Sequence, residues 1–277
     1  MLEQVSVENL VSTVGRLSTF HTRYYDSPTG VQAAESIRDQ FKELSAGRSD
    51  IEVELVPHSF RQPSVRARIR GQGPHANEII VIGGHEDSIN QSGFGPRPGE
   101  RAPGADDDGS GTATVIEVFR VLAQSGFRPD RTIEFMTYAA EEIGLRGSQD
   151  IAQHYRAENK QVVAALQFDM TAFPGESHEI TMITDYVDPS LTRFVTKLID
   201  EYVQIRWGED TCGYACSDHA SWNRAGYPSA FPFEAPTAEM NHALHTARDT
   251  IDRLDLAFGA AFAKIGVAFA AELGRAE

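Results

Sequence analysis

Ile79-Ile-Val-Ile-Gly-Gly-His85 is a run of four β-branched residues, two glycines and a histidine. Apolar β-branched residues without polar alternation read as a strand, Ile79 to Ile82, buried on both faces. Such a strand needs helices on both sides of its sheet, and the flanking sequence supplies them. Ile51 to Val56 and Val65 to Ile69 alternate as half-buried strands; Thr132 to Tyr138, Ala164 to Phe168 and Ile180 to Ile183 add further strands. Between and around them, Val31 to Leu44, Thr112 to Ala123, Ser148 to Ala157, Pro189 to Tyr202 and the C-terminal stretch have helical spacing. The alternation predicts an α/β fold. The Pro/Gly-rich segment Ser92 to Gly104 is expected to be a surface loop, since the patterns on either side need each other to complete the sheet.

Composition narrows the partners. A chain of 277 residues, 41% of them hydrophobic, can bury a substantial core. Its 40 acidic against 25 basic residues give a net charge of −15, which argues against nucleic acid or an anionic membrane as a partner. No uninterrupted apolar span of about 20 residues occurs. The nearest, Leu256 to Leu273, carries Lys264 and Glu272 and is expected to dock on the core as an amphipathic helix. Met1 to Asn9 has neither a basic nor an apolar leader region. Cys212 and Cys216 enclose Gly213-Tyr214-Ala215; a disulfide closing so short a loop adds about 2 kcal/mol, so both the reduced and the bridged states remain open on spacing alone.

The strand ends carry the chemistry. In open α/β sheets, ligands gather beyond the carboxyl ends of the strands. His85, with Asp87 two residues on, ends one strand; Glu141-Glu142 follows Thr132 to Ala140; Asp169 ends Ala164 to Phe168; and His245 lies in a polar stretch before the last helix. Ahead of another helix, Ala102-Pro-Gly-Ala-Asp-Asp-Asp-Gly-Ser-Gly111 sets three carboxylates on a tight turn. Alone, that turn reads equally as a helix cap or as a cation site. With the other strand ends it completes a set of two histidines and several carboxylates suited to zinc. Glu141 and Glu142 point to opposite sides of an extended segment, so one can bind metal while the other faces a water.

His85-Glu-Asp87, the Asp106 to Asp108 turn, Tyr138-Ala-Ala-Glu-Glu-Ile-Gly-Leu-Arg-Gly-Ser148, Leu166-Gln-Phe-Asp-Met170, the Asp210 to Trp222 segment and His245-Thr-Ala-Arg-Asp-Thr250 resemble the M28 family of two-zinc aminopeptidases. Secreted bacterial leucyl aminopeptidases are the nearest likeness. The resemblance runs from about Ser12 to the C-terminal helix. It implies a single zinc-exopeptidase domain over 1–277, with a central mixed, mostly parallel sheet of about eight strands flanked by helices.

By the same resemblance, Asp107 bridges two Zn2+ ions. His85 and Asp169 complete one, Glu142 and His245 the other, and Glu141 is the general base. Asp87 receives the second ring N–H of His85, and Tyr214 hydrogen-bonds the substrate carbonyl as it becomes an oxyanion. Met170, Cys216, Phe233 and Leu244 line an apolar pocket for leucine-like side chains, while Thr237 falls where an aromatic can occur, implying a wider or more polar pocket. The expected substrates are peptides with a free N-terminus. The resemblance also implies a Cys212–Cys216 disulfide, a secreted protein whose signal peptide lies outside this sequence, and a monomer. A glutaminyl-cyclase-like single-zinc acyltransferase and a non-catalytic protease-like binding module are the alternatives.

Other histidines have plainer readings. His21, His58, His75, His154 and His178 lie in polar or edge contexts without ligand partners at useful spacing and are expected at the surface. His219 reads as a helix-start or supporting residue, and His242 competes with His245 for the ligand position. Asp106 and Asp108 read as turn and helix-start residues supporting Asp107.

Overall fold

The computed structural model describes residues 1–45, 47–91, 95–177 and 179–275. His178 and the first residues of the loop expected from Ser92 lie outside the described residues. In chain order the elements are α1 (Val7–Leu17), α2 (Pro28–Ser45), β1 (Ile51–Val56), β2 (Ser64–Ile69), β3 (Glu78–His85), α3 (Gly109–Gln124), β4 (Thr132–Tyr138), α4 (Arg146–Ala157) and β5 (Gln161–Gln167). There follow β6 (Ile180–Ile183), α5 (Pro189–Leu198), β7 (Trp207–Asp210), α6 (His219–Arg224), β8 (Ser229–Phe233) and α7 (Leu256–Gly274).

The eight strands form one mixed sheet in the order β1-β2-β4-β3-β5-β8-β6-β7. Its centre, β4-β3-β5-β8, is parallel; β1, β2 and β6 introduce antiparallel pairs. Side chains on β3 alternate between two cores, as the pleat requires. Ile80 and Ile82 face α2, α3 and α7 with Phe41, Phe119, Phe135 and Phe262. Ile79 and Val81 face α4 and α6 with Met136, Tyr155 and Trp222. Each such buried side chain contributes about 1.5–3 kcal/mol relative to exposure, which is why the β3 run tolerates no polar residue.

Helix α7 is covered around most of its circumference rather than along one stripe, because alanines and glycines let its neighbours come close. A Cβ at Gly266 would stand 2.5 Å from Val118 and 3.0 Å from Phe168, so only glycine permits that approach. By length and composition α7 could cross a membrane, but 67% of its apolar window is buried in the protein.

Four elements lack a clear signal in the sequence. β8 contains Pro232, which would argue against a strand; it nevertheless sits between β5 and β6. β7 is a short polar edge strand. α1 buries only the narrow stripe Leu10, Thr13, Val14 and Leu17, and α6 has only six residues. The helix expected over Pro189 to Tyr202 closes with a π-turn at Ile199–Val203.

The register positions the site. His85 pairs with Tyr138, three residues before Glu141, and Gly83 pairs with Gln167, two residues before Asp169. Parallel pairing therefore brings all three loops to one edge.

Candidate metal centre and active site

Asp108 is the anchor of this edge. Its Oδ1 caps α3 by accepting Gly111 N–H (2.7 Å) and also accepts Met170 N–H (3.2 Å), while Oδ2 accepts His85 N–H (2.8 Å). A carboxylate so occupied holds strand ends together and has little capacity left for a ligand. The preceding residues are held from the other side, where Asp249 accepts Asp106 N–H (3.0 Å) and Asp107 N–H (3.1 Å). Fully buried Arg23 donates to the carbonyls of Pro103 (2.6 Å), Gly104 (2.8 Å) and Glu86 (2.8 Å), closing the turn from beneath. The Asp107–Asp108 peptide bond is cis.

This scaffold turns the Asp107 carboxylate between two histidines. Oδ1 lies 3.0 Å from His85 Nε2, and Oδ2 lies 2.9 Å from His245 Nε2. Asp169 Oδ1 stands 3.6 Å from His85 Nε2, and Glu142 Oε2 stands 2.8 Å from His245 Nε2. The five groups named from the sequence thus meet as two half-sites sharing one carboxylate. Donor atoms of His85, Asp107 and Glu142 all lie within 4.8 Å of one another, as do those of His85, Asp108 and Asp169. Glu142 Oε1 is buried without a hydrogen-bond partner, as expected of an atom waiting for a cation. The mixed nitrogen and oxygen donors fit zinc.

The electrostatics fit a cation equally well. Burial alone would lower the pKa of His245, but Glu142 and Asp107 push it up to about 12. For His85, burial is likewise outweighed by Asp169, Glu141 and Asp107, and the ring stays protonated far above its ordinary range. Burial works against the charge of Asp107, yet the two histidines hold it well below the usual carboxylate range. Burial, followed by the Asp107 charge, pushes Glu142 up to about 8. The upward direction of both histidines shows how strongly the surrounding carboxylates favour positive charge here, the charge that a metal ion would supply.

Burial raises the Glu141 pKa well above its ordinary value. Its position comes from a closed turn, with Leu145 N–H on the Glu141 carbonyl (2.8 Å), Arg146 N–H on that of Ala140 (3.0 Å) and Gly147 N–H on that of Ala139 (3.0 Å). A Cβ at Gly147 would meet the Ala139 carbonyl at 2.4 Å, so this closure demands glycine. Asp87, expected to orient the His85 ring, stands 3.5 Å from its Nδ1, too far for a good hydrogen bond. Its oxygens instead accept the backbone N–H groups of Glu141 (3.0 Å) and Glu142 (3.3 Å). Three non-glycine residues beside these groups, Ala140, Met170 and His245, have left-handed backbone with φ of 55–58°. Such conformations survive where surrounding bonds over-determine them, and they cluster at functional sites.

A cavity of about 530 Å³ opens over the carboxylates. All four pocket residues expected from the sequence line it, as do Phe231 and Met240. Thr237 also lines it, but its hydroxyl donates to Asp210 Oδ2 (2.7 Å), so the wall remains apolar. Cys212 and Cys216 form a disulfide. Asp185 accepts Cys212 N–H (3.2 Å) and Gly213 N–H (2.8 Å), and the small loop carries the exposed Tyr214 side chain at the cavity mouth.

His242 points away, its ring against the Ala238 carbonyl at 3.2 Å, whereas the His245 ring faces Asp107 and Glu142. His219 begins α6 and faces the Asp185 carbonyl (3.2 Å). Sequence reasoning missed Arg23, Asp249, Asn241, Glu234 and Ser217. Ser217 donates to Asp169 Oδ2 (2.6 Å), and Asn241 donates to Asp106 Oδ2 (3.0 Å). Of these, Asp249 stands inside the His245 to Thr250 motif and Ser217 inside the Asp210 to Trp222 segment. His58, expected at the surface, has a fully covered side chain bound to Asp150 and Ser64.

Known proteins resemble this chain along most of its length. The model of peptidase family M28 matches residues 64–270. A probable leucine aminopeptidase of Trichophyton verrucosum is 43% identical over 99% of this chain and 75% of its own length. Leucine aminopeptidase 1 of Coccidioides posadasii is 43% identical over 100% of this chain and 74% of its own. The crystal structure of the LapA aminopeptidase of Legionella pneumophila superposes with a TM-score of 0.91 at 37% identity, covering 99% of this chain and 72% of that one.

Proposed function

Because the chain belongs to peptidase family M28 and is a metal-dependent aminopeptidase, we propose that it removes N-terminal leucine and similar apolar residues from peptides using two zinc ions. The observation that carries this reading is the Asp107 carboxylate, whose two oxygens face His85 and His245. His85, Asp107 and Asp169 would hold one ion, and Asp107, Glu142 and His245 the other. When bound, such ions polarise the scissile carbonyl and acidify water.

The remaining chemistry belongs to the chain. Glu141, held beside the cluster with an elevated pKa, accepts the proton of the attacking water and returns it to the leaving amine. Tyr214, at the cavity mouth, donates to the carbonyl oxygen as negative charge develops there. The carboxylates attract the free α-ammonium group, which limits cleavage to the first residue. Phe231, Phe233, Met170, Met240 and Leu244 receive its side chain. All these groups come from one chain, so a monomer suffices, and the disulfide suits an oxidising compartment outside the cytosol.

A panel of amino-acyl p-nitroanilides on zinc-reconstituted protein tests the reading. Leucine p-nitroanilide is hydrolysed fastest, with activity lost to a strong chelator and restored by zinc. Metal-loaded protein inert on all free-amine substrates yet active on blocked ones would sink it. A count of one zinc per chain would favour the single-metal acyltransferase.

A further inference from the structure

His58 lies two residues beyond the end of β1, in contact with two elements that border the Glu141 turn. Its Nδ1 stands 2.6 Å from Asp150 Oδ2 on α4, and its Nε2 stands 2.8 Å from Ser64 Oγ at the start of β2. Ser64 Oγ accepts Ala139 N–H at 2.9 Å, two residues before Glu141. The ring is stacked on Phe60 (centroids 4.8 Å apart, planes 16° apart).

A carboxylate only accepts, so the neutral His58 ring places its N–H at Nδ1, donated to Asp150, and its Nε2 accepts the Ser64 hydroxyl proton while Ser64 Oγ accepts the Ala139 amide. A free serine hydroxyl would rotate; this one is held with a lone pair facing the amide. Serine, histidine and carboxylate in this order resemble a nucleophilic triad, but access excludes that role. Ser64 is fully buried, and a groove on this face is lined by Asp150 but by neither Ser64 nor His58. What the arrangement does hold is the backbone on one side of the turn that Asp87 holds from the other.

We propose that Asp150, His58 and Ser64 form a positioning relay, which fixes the Ala139 amide and thereby the reach of Glu141 toward substrate. The proposal rests on the reading of Glu141 as the base. None of the three touches substrate. A sub-ångström drift of the turn misaligns a proton transfer while leaving the apolar pocket, and hence binding, nearly intact.

The test is steady-state hydrolysis of leucine p-nitroanilide by the zinc-saturated protein and five variants. His58→Phe keeps the stack on Phe60 and removes both hydrogen bonds; Ser64→Ala removes the amide acceptor; Asp150→Ala acts at a carboxylate that is 60% exposed, where folding is tolerant. The double variant His58→Phe with Ser64→Ala, and Glu141→Gln, complete the set. The relay predicts that kcat falls about tenfold in His58→Phe and Ser64→Ala and about threefold in Asp150→Ala, with KM within about twofold and zinc content unchanged. The double variant is no slower than Ser64→Ala, because His58 acts only through Ser64. Wild-type kcat in Asp150→Ala and His58→Phe beside an inactive Glu141→Gln overturns the relay and leaves the base assignment standing. Losses that multiply in the double variant also overturn it. If His58→Phe does not fold, Asp150→Ala decides. An active Glu141→Gln overturns the base assignment, and with it the relay as a device for that base.

Discussion

Asp108 Oδ2 accepts the backbone N–H of His85 at 2.8 Å, so the residue that caps α3 also sets where β3 ends. The middle and last members of the acidic turn therefore divide two tasks, Asp107 facing the histidines and Asp108 holding the backbone. Replacing Asp108 by alanine leaves three amides, those of His85, Gly111 and Met170, without their acceptor. The loss is about 3 kcal/mol, or roughly a 6–12 °C fall in Tm for a chain of this size. Thermal unfolding of the zinc-free protein by circular dichroism checks it, and an unchanged Tm would contradict the anchoring role.

Asp107→Ala and His245→Ala separate the shared ligand from an unshared one. Asp107 faces both histidines, whereas the His245 ring meets Asp107 and Glu142. Elemental analysis after dialysis against zinc is expected to find neither ion retained in Asp107→Ala and one retained in His245→Ala. Equal zinc content in the two variants would refute the bridge.

Glu141→Gln keeps the size and the backbone bonds of the turn but cannot accept a proton. A lost general base lowers kcat by about 10²–10⁴-fold, with zinc content and thermal stability close to wild type. Retention of more than about a tenth of kcat would remove Glu141 from the reaction.

His219 gives the fold an acid-sensitive point outside the proposed metal-ligand set. Burial lowers its pKa from 6.5 to about 4, against the opposing pull of the Asp185 carbonyl. The unfolded chain therefore binds this proton first as pH falls. Stability is fully present above pH 6.5 and is lost between 6.5 and 4, by up to about 3 kcal/mol. His219→Gln, which can still donate to Asp185, is expected to lose less Tm than the wild type between pH 7.5 and pH 5. Parallel Tm curves for the two proteins would show that the ring proton is not the cause.

Much of the site could be read locally. His85, Glu141, Glu142 and Asp169 each follow a strand-like run, and a parallel sheet brings such ends to one edge whatever the details of its loops. The support around them could not be read this way. Asp249 is 142 residues from the Asp107 amide it accepts, and His58 is 92 from Asp150. Asp249 stands in the His245 to Thr250 motif, but nothing in the local pattern of either segment says which distant backbone amide or carboxylate it meets.

The sequence by itself determined the α/β class, the central strands and the loops that carry the clustered histidines and carboxylates, because burial periodicity and strand-end polarity are local consequences of a packed sheet. Tertiary structure alone decided that Pro232 lies in an inner strand, that Thr237 turns its hydroxyl to Asp210, and that Asp87 and Ser64 hold the Glu141 turn from opposite sides. These depend on which polar groups meet across distant segments. A buried amide or hydroxyl must find a partner, but the sequence does not say which partner the fold will bring within 3 Å.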